Sequence, residues 1–161
     1  MAIVSLVAGE TIDIGDVLYV DTDGKVKLAQ ATSRAKSSVA GIAINPGATG
    51  DIIRVDIDGV FRGYSGMEVG TYMYVSLLNP GQLVTFAQFT ADIVSVTTDG
   101  FLTNVGEVLE PETITINIEP PQAIPNPNDF LLLETSTDTQ INGLLLENGS
   151  FIDLENALVT S

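Results

Sequence analysis

The chain has 161 residues, and its 6 Lys and Arg against 21 Asp and Glu give a formal net charge of −15. Because it contains no Cys and no His, disulfides, thiolate nucleophiles, His general bases and zinc sites with those ligands are excluded, and we expect neither enzymatic activity nor a cofactor or metal. The acidic charge argues against nucleic acid or an anionic membrane as a partner, since both attract positive charge.

The composition favours β structure. Val, Ile and Thr make up 47 of the 161 residues, and side chains branched at Cβ fit a pleated strand better than a helix. Most of the 15 Gly and 7 Pro lie between the runs rich in Val and Ile, where turns are expected. The fold class that we predict is all-β, a small barrel or sandwich.

The first apolar run, Ala2–Val7, contains Ile3, Val4 and Leu6. It predicts either the first strand of the barrel or an arm that contacts a neighbouring subunit.

A strand, a turn and a second strand then occur twice. In the first copy the strand ends at Tyr19-Val20 and an Asp-Thr-Asp-Gly turn follows at 21–24. In the second copy the strand ends at Tyr74-Val75 and an Asn-Pro-Gly turn follows at 79–81, so the two tyrosines are 55 residues apart. Gly in such a turn supplies a positive φ without a Cβ clash, which favours a hairpin in each copy.

Each copy continues with two more predicted strands, the first with a Gly near its start and the second with alternating apolar residues: 39–44 and 51–57 in the first copy, and 105–109 and 113–118 in the second. Alternation with a period of two is typical of a half-buried strand. We therefore predict one domain, residues 1–119, made of two tandem pseudo-repeats, 1–62 and 63–119. The alternative is that any β protein with Gly turns resembles itself to this extent.

The segments between these strands are less regular. Residues 31–38 favour a loop or a single helical turn, and residues 86–92 favour a short turn. Residues 93–96, Ile-Val-Ser-Val, predict another strand. A Thr-Thr-Asp-Gly turn at 97–100 then leads to Phe101-Leu102.

The composition changes in the last part of the chain. Residues 120–129 hold four Pro, which predicts an extended, semi-rigid linker. Residues 130–161 contain three short apolar blocks that cannot form a core alone, so we predict a C-terminal β arm for contact between subunits, with packing onto its own barrel as the alternative. The candidate contact residues are Ile3, Val4, Leu6, Phe130, Leu131, Leu132, Leu133, Leu144, Leu145, Leu146, Phe151 and Leu154.

The charges are divided unevenly along the chain. All six basic residues lie in the first 62 positions, which hold eight acids for a net charge of −2, whereas residues 63–161 hold thirteen acids and no base. This asymmetry predicts that one end of the molecule docks on a partner while the other faces solvent or a basic partner. The alternative is that the asymmetry serves solvation alone.

Carboxylate pairs are the remaining candidates for acid–base or metal chemistry. Asp21 with Asp23 and Asp56 with Asp58 are the closest pairs, and each precedes a Gly in a turn, where Asp is favoured for backbone reasons. A calcium loop that began at Asp21 would need an acid at its twelfth position, which is Thr32. We therefore assign no catalytic or metal-binding residue.

Two motifs of the first copy resemble a known protein family. The run from Val7 to Ala29, Val-Ala-Gly-Glu-Thr-Ile-Asp-Ile-Gly-Asp-Val-Leu-Tyr-Val-Asp-Thr-Asp-Gly-Lys-Val-Lys-Leu-Ala, and the later Val-Ala-Gly-Ile-Ala at 39–43 are similar to small β domains of tailed-bacteriophage particles. Such domains occur in capsid decoration (cement) proteins and in the virion-proximal parts of tail fibres and spikes. The resemblance covers roughly residues 5–110 and does not extend to the Leu-rich blocks.

The resemblance implies a structural virion protein without catalytic residues. We expect it to be made in the host cytoplasm, to bind the major capsid protein on the capsid surface, and to form a homotrimer. The alternative from the same resemblance is an attachment or adhesion component of a tail fibre or spike. A small β-barrel enzyme or a carbohydrate-binding module is a third possibility.

Overall fold

The computed structural model describes residues 2–127, in which eleven strands and two short helices are found. The chain divides into two units, Met1–Pro125 and Asn126–Ser161, and the strands and helices given below lie in the first. The strands are β1 (Ala2–Val7), β2 (Val17–Val20), β3 (Val26–Leu28), β4 (Val39–Ala43), β5 (Ile52–Arg62), β6 (Tyr72–Val75), β7 (Leu83–Thr85), β8 (Gly100–Leu102), β9 (Asn104–Glu110), β10 (Thr113–Ile116) and β11 (Gln122–Ile124). The helices are α1 (Arg34–Ser37) and α2 (Phe86–Ser95).

Nine of the strands form one antiparallel sheet, which is strongly curled into a half-barrel. Its order is β3-β2-β4-β5-β10-β9-β6-β7, and β1 pairs with the first part of β5. The remaining two strands, β8 and β11, form a small second sheet. The prediction of a mainly β protein is thus confirmed.

Backbone hydrogen bonds connect the two ends of the curled sheet. The N–H of Ala31, just after β3, donates to the carbonyl of Ser76 at 3.0 Å. Gly81, between β6 and β7, donates to the carbonyl of Ala29 at 2.8 Å and accepts from the N–H of Val17 at 2.9 Å. These main-chain contacts therefore join the β2–β3 end of the sheet to the β6–β7 end. They also satisfy backbone groups that an open edge would leave unpaired.

Two halves of the sheet have the same strand pattern. We call β2, β3, β4 and β5 the first half-sheet and β6, β7, β9 and β10 the second half-sheet. In each half-sheet, the first strand of a hairpin also pairs with a third strand, and the register of that second pairing is irregular at the same place. The irregularity lies between Leu18 and Tyr19 in the β2–β4 pair and between Met73 and Tyr74 in the β6–β9 pair. The two tyrosines, 55 residues apart, thus occupy equivalent positions.

A glycine permits a close approach of strands in each half-sheet. A Cβ atom on Gly41 of β4 would lie closer than 3.0 Å to the carbonyl oxygen of Asp56, and one on Gly106 of β9 closer than 3.0 Å to that of Thr115. Since real Cβ atoms essentially never show such contacts, neither position accepts a side chain without movement of the backbone. This packing explains the Gly of β4 and the Gly of β9.

The buried apolar side chains form two clusters. The larger core joins both half-sheets and α2, and it contains Val17, Tyr19, Ala29, Ala31, Ile42, Phe61, Met73, Val75, Leu77, Phe89, Ile93, Val105, Val108, Ile114 and Ile116. The smaller core joins the segment after β1 to the first half-sheet, and it contains Ala8, Ile12, Leu18, Val26, Ala43, Ile53 and Val55. The first half-sheet is therefore covered on both faces.

The prediction of a strand at 93–96 is wrong, because α2 continues to Ser95. Thr85 caps this helix and accepts a hydrogen bond from the N–H of Gln88 at 3.2 Å. Phe89 and Ile93, one helical turn apart, are both buried in the larger core. The short apolar run is thus the inner face of a helix rather than a strand.

The short turn predicted at 86–92 is also wrong, since these residues form the first part of α2. Residues 31–38 contain the single helical turn of α1, whose Ser33 cap accepts a hydrogen bond from the N–H of Lys36 at 3.2 Å. Within the Pro-rich stretch, β11 pairs with β8 in a two-stranded sheet, and Arg34 donates to the carbonyl of Pro121 at 3.1 Å. No helix among residues 2–127 is long and apolar enough to cross a membrane.

Candidate docking surfaces

The first candidate surface is the outer edge of β1. This strand pairs with β5 from Ala2 opposite Asp58 to Val7 opposite Ile52, and with no other strand among residues 2–127. On the open side of an edge strand, unpaired backbone N–H and C=O groups can bind another strand. β1 contains no charged residue and no Pro, the two features that commonly protect such an edge. We call the open side of β1 the β1 edge.

The side chains of β1 divide between the two faces of the strand. Leu6 packs against the smaller core, whereas Ile3 is 38% exposed and Val4 is 37% exposed. Ile3 lies opposite Asp56 and Val4 opposite Val55 of β5, so these two exposed side chains point to different faces. A strand added to the β1 edge would find apolar contacts on both faces.

A cation lies beside this edge. Arg54 is opposite Ser5 in the β1–β5 pair, and its side chain is exposed. Within the part of the chain that the structure describes, its guanidinium forms no ion pair. The β1 edge therefore has apolar side chains and, on the neighbouring strand β5, a positive charge without an ion pair among the described residues.

The remaining predicted contact residues lie outside the described residues. They are Phe130, Leu131, Leu132, Leu133, Leu144, Leu145, Leu146, Phe151 and Leu154.

The second candidate surface is an aromatic groove of about 360 Å³ on the second half-sheet. Its walls include Tyr72, Tyr74 and Phe86, with Glu68 and Thr71 as polar neighbours. The rings of Tyr74 and Phe86 are tilted against each other with centroids 5.9 Å apart, and the exposed fractions are 51% for Tyr72 and 53% for Phe86. Exposed rings in a concave site are typical of ligand or partner binding.

The sequence patterns do not predict this groove. Tyr72 and Tyr74 are two residues apart in β6, so they share the face opposite to that of the buried Met73. That spacing was a visible signal, but the equivalent Tyr19 of the first half-sheet is buried in the larger core. Only the packing of the two half-sheets decides which tyrosine is exposed.

A buried polar cluster lies near the start of β2. The hydroxyl of Tyr64 donates to the carbonyl of Gly15 at 2.7 Å, and Asp16 accepts a hydrogen bond from the N–H of Asp13 at 2.8 Å. Burial raises the pKa of Asp16, the hydrogen bond from the N–H of Asp13 opposes this more weakly, and the negative charges of Asp13 and Glu10 add to the increase. Burial, and then the charge of Asp16, also raise the pKa of Tyr64. The Tyr64 hydroxyl thus binds a backbone carbonyl, and the cluster stabilises a turn.

The carboxylates singled out in the sequence have local roles. Asp21 accepts from the N–H of Thr22 at 2.7 Å and from Lys27 Nζ at 2.6 Å, and Asp23 accepts from the N–H of Lys25 at 2.9 Å. The hydrogen bond from Lys27 lowers the pKa of Asp21, and the same bond raises the pKa of Lys27. These contacts are those of a turn.

The other carboxylate pair and the remaining charges give a similar result. Asp56 is buried and accepts a hydrogen bond from the N–H of Asp58 at 3.3 Å. Arg62 bridges Glu110 at 2.8 Å and Glu112 at 3.0 Å on the exposed surface, and the contact with Glu110 is the main cause of the raised pKa of Arg62. Among residues 2–127, no group of three or more acidic side chains is arranged to hold a metal ion.

In comparisons with known proteins, no family model matches the sequence, and no curated protein matches it.

Proposed function

We propose that this protein is a structural component of a tailed-phage virion that binds the outside of the capsid and stabilises it. The resemblance of residues 5–110 to phage particle domains motivates this assignment, and the mainly β fold is compatible with it. A decoration protein needs solubility as a free chain and contact surfaces for a repeating shell. The net charge of −15 favours the first requirement.

The observation that carries the proposal is the β1 edge. An uncharged, apolar strand edge on an acidic protein is a contact surface rather than a solvated one. Many weak contacts of this kind suffice to hold a protein on a shell that presents the same site repeatedly. In the proposed assembly the partners are the major capsid protein and other copies of this chain, arranged as a homotrimer.

The proposal includes a particular construction of the domain. The two half-sheets are copies of one four-strand unit, in residues 1–62 and 63–119, and residues 120–129 link them to an arm formed by residues 130–161. Two matching pairs of hydrogen bonds support the duplication. The N–H of Gly15 donates to Ala43 and that of Gly70 to Val108, while the N–H of Ala43 donates to Asp16 and that of Val108 to Thr71.

The copy number of this protein in purified virions tests the proposal. Quantitative mass spectrometry would compare its abundance with that of the major capsid protein in the same particles. A decoration protein is expected in numbers comparable with the capsid subunits, and density for it should cover the shell in electron micrographs. Its absence from the particles would overturn the proposal.

A binding experiment examines the contact surface itself. The full chain would be mixed with heads that lack it and then sedimented. Val4→Lys places a charge on the β1 edge and should reduce the bound amount by about tenfold, since an edge charge disfavours strand addition. Val60→Lys is the matched control, because Val60 is a comparably exposed valine of β5. Equal binding by the two variants would exclude β1 from the contact.

The aromatic groove favours a second candidate, an attachment or adhesion component of a tail fibre or spike. Exposed rings beside the carboxylate of Glu68 suit a glycan or peptide of the host surface. A few copies per virion, located at the tail, would support this candidate over the first. Loss of host attachment in Phe86→Ser, with unchanged particle stability, would support it further.

A further inference from the structure

We propose that the β1 edge binds the C-terminal arm, residues 130–161, of a second copy of this chain, which adds a strand beside β1. The inference rests on the proposed function, because neighbouring copies on a shell meet at high local concentration. It assigns an occupant to the edge and unites the two groups of predicted contact residues in one interface.

The shape of the surface favours a strand as the ligand. β1 offers six residues of backbone, and strand addition obtains its affinity from main-chain hydrogen bonds along such an edge. Each apolar block of the arm is about as long, for example Phe130–Glu134 and Gly143–Glu147, which are 13 residues apart. Alternate side chains of a block would contact Ile3 on one face and Val4 on the other.

The charges favour the arm as the source of that strand. Residues 128–161 hold six acids and no base, and residues 63–127 hold seven acids and no base, so like charges disfavour contact between these two segments. All six bases lie within the first 62 residues, and Arg54 is exposed beside β1. The apolar blocks end in Glu134, Glu147 and Glu155, any of which supplies the counter-charge. The aromatic groove, which includes Glu68, lacks this complementarity.

Disulfide trapping with the full chain tests the inference, since the natural sequence has no Cys to interfere. One protein would carry Val4→Cys, and the second would carry one of Leu132→Cys, Leu145→Cys or Leu154→Cys. Paired residues of adjacent strands have Cα atoms about 4.5–5.5 Å apart, which is within the range of a disulfide. After mixing and mild oxidation, we expect a heterodimer with at least one arm variant, in at least about tenfold excess over the control.

The control replaces Val4→Cys by Val60→Cys, a comparably exposed valine of β5 that is not on the β1 edge. Equal heterodimer yields from the two positions, or none from any arm variant, would overturn the inference.

A double variant with both cysteines, Val4→Cys and Leu132→Cys, distinguishes the source of the arm. At high dilution, a closed monomer would show that the arm returns to its own body, which would also overturn the inference. Binding of the unmodified chain to phage heads is measured separately. If binding persists while trapping fails, the proposed function stands and only the occupant of the β1 edge is wrong.

Discussion

The close approach at Gly106 gives the sharpest prediction about the fold. In Gly106→Ala, the new methyl group would lie closer than 3.0 Å to the carbonyl oxygen of Thr115 in the next strand, where no flexible side chain can move aside. β9 and β10 must separate instead. The movement strains the hydrogen bond from the N–H of Asn117 to the carbonyl of Val105, which is 2.8 Å long.

The magnitude follows from these two effects. Overpacking of a core position costs about 1–3 kcal/mol, and one weakened backbone hydrogen bond adds about 1 kcal/mol. The expected decrease in the free energy of unfolding is therefore about 3 kcal/mol, which corresponds to a melting temperature lower by about 10 °C for a domain of this size. Thermal and urea unfolding, followed by circular dichroism, would measure both quantities.

Gly24→Ala is the matched control. Gly24 has a φ of 81°, but a Cβ atom there would meet no heavy atom within 4 Å. Only the left-handed backbone is then strained, at a cost of about 1–2 kcal/mol. If Gly106→Ala were no more destabilising than Gly24→Ala, the packing of β9 against β10 would not explain the Gly, and the argument for two equivalent half-sheets would lose one of its supports.

Two further predictions concern the buried polar cluster. Tyr64→Phe removes the hydrogen bond to the carbonyl of Gly15 and should lower the free energy of unfolding by about 1 kcal/mol, whereas Tyr72→Phe at an exposed ring should change it little; equal effects in urea titrations would contradict this role. Burial raises the pKa of Asp16 above its unfolded value, so ionisation of this carboxyl costs stability, and the cost disappears as the pH falls through the folded pKa. Asp16→Asn keeps an oxygen that accepts the hydrogen bond from the N–H of Asp13, but it carries no charge. The variant should therefore have a higher melting temperature than the natural chain at pH 7, and the difference should shrink toward pH 3. A difference that grows on acidification would contradict a raised pKa of Asp16.

The local part of the fold could be predicted from the sequence. Alternation along residues 113–118 and the Asp-Thr-Asp-Gly turn at 21–24 depend only on neighbouring residues, and strands and turns are found there. The run at 93–96 cannot be assigned from its sequence, because a short apolar segment has no period long enough to separate a strand from the inner face of a helix. The deciding contacts are those of Phe89 and Ile93 with a distant core, which no local pattern contains.

The candidate surfaces also depend on contacts that no local sequence pattern contains. Tyr19 and Tyr74 stand in matching strands, at matching register irregularities, and follow similar local sequences. Nevertheless Tyr19 is 5% exposed in the larger core, whereas Tyr74 lines a groove with Phe86. Among the described residues, the difference arises because buried clusters lie against both faces of the first half-sheet, whereas none lies against the face of β6 that carries Tyr72 and Tyr74. Duplication of a sequence pattern therefore predicts where a residue lies in its unit, while the neighbour of that unit determines whether the residue serves packing or binding.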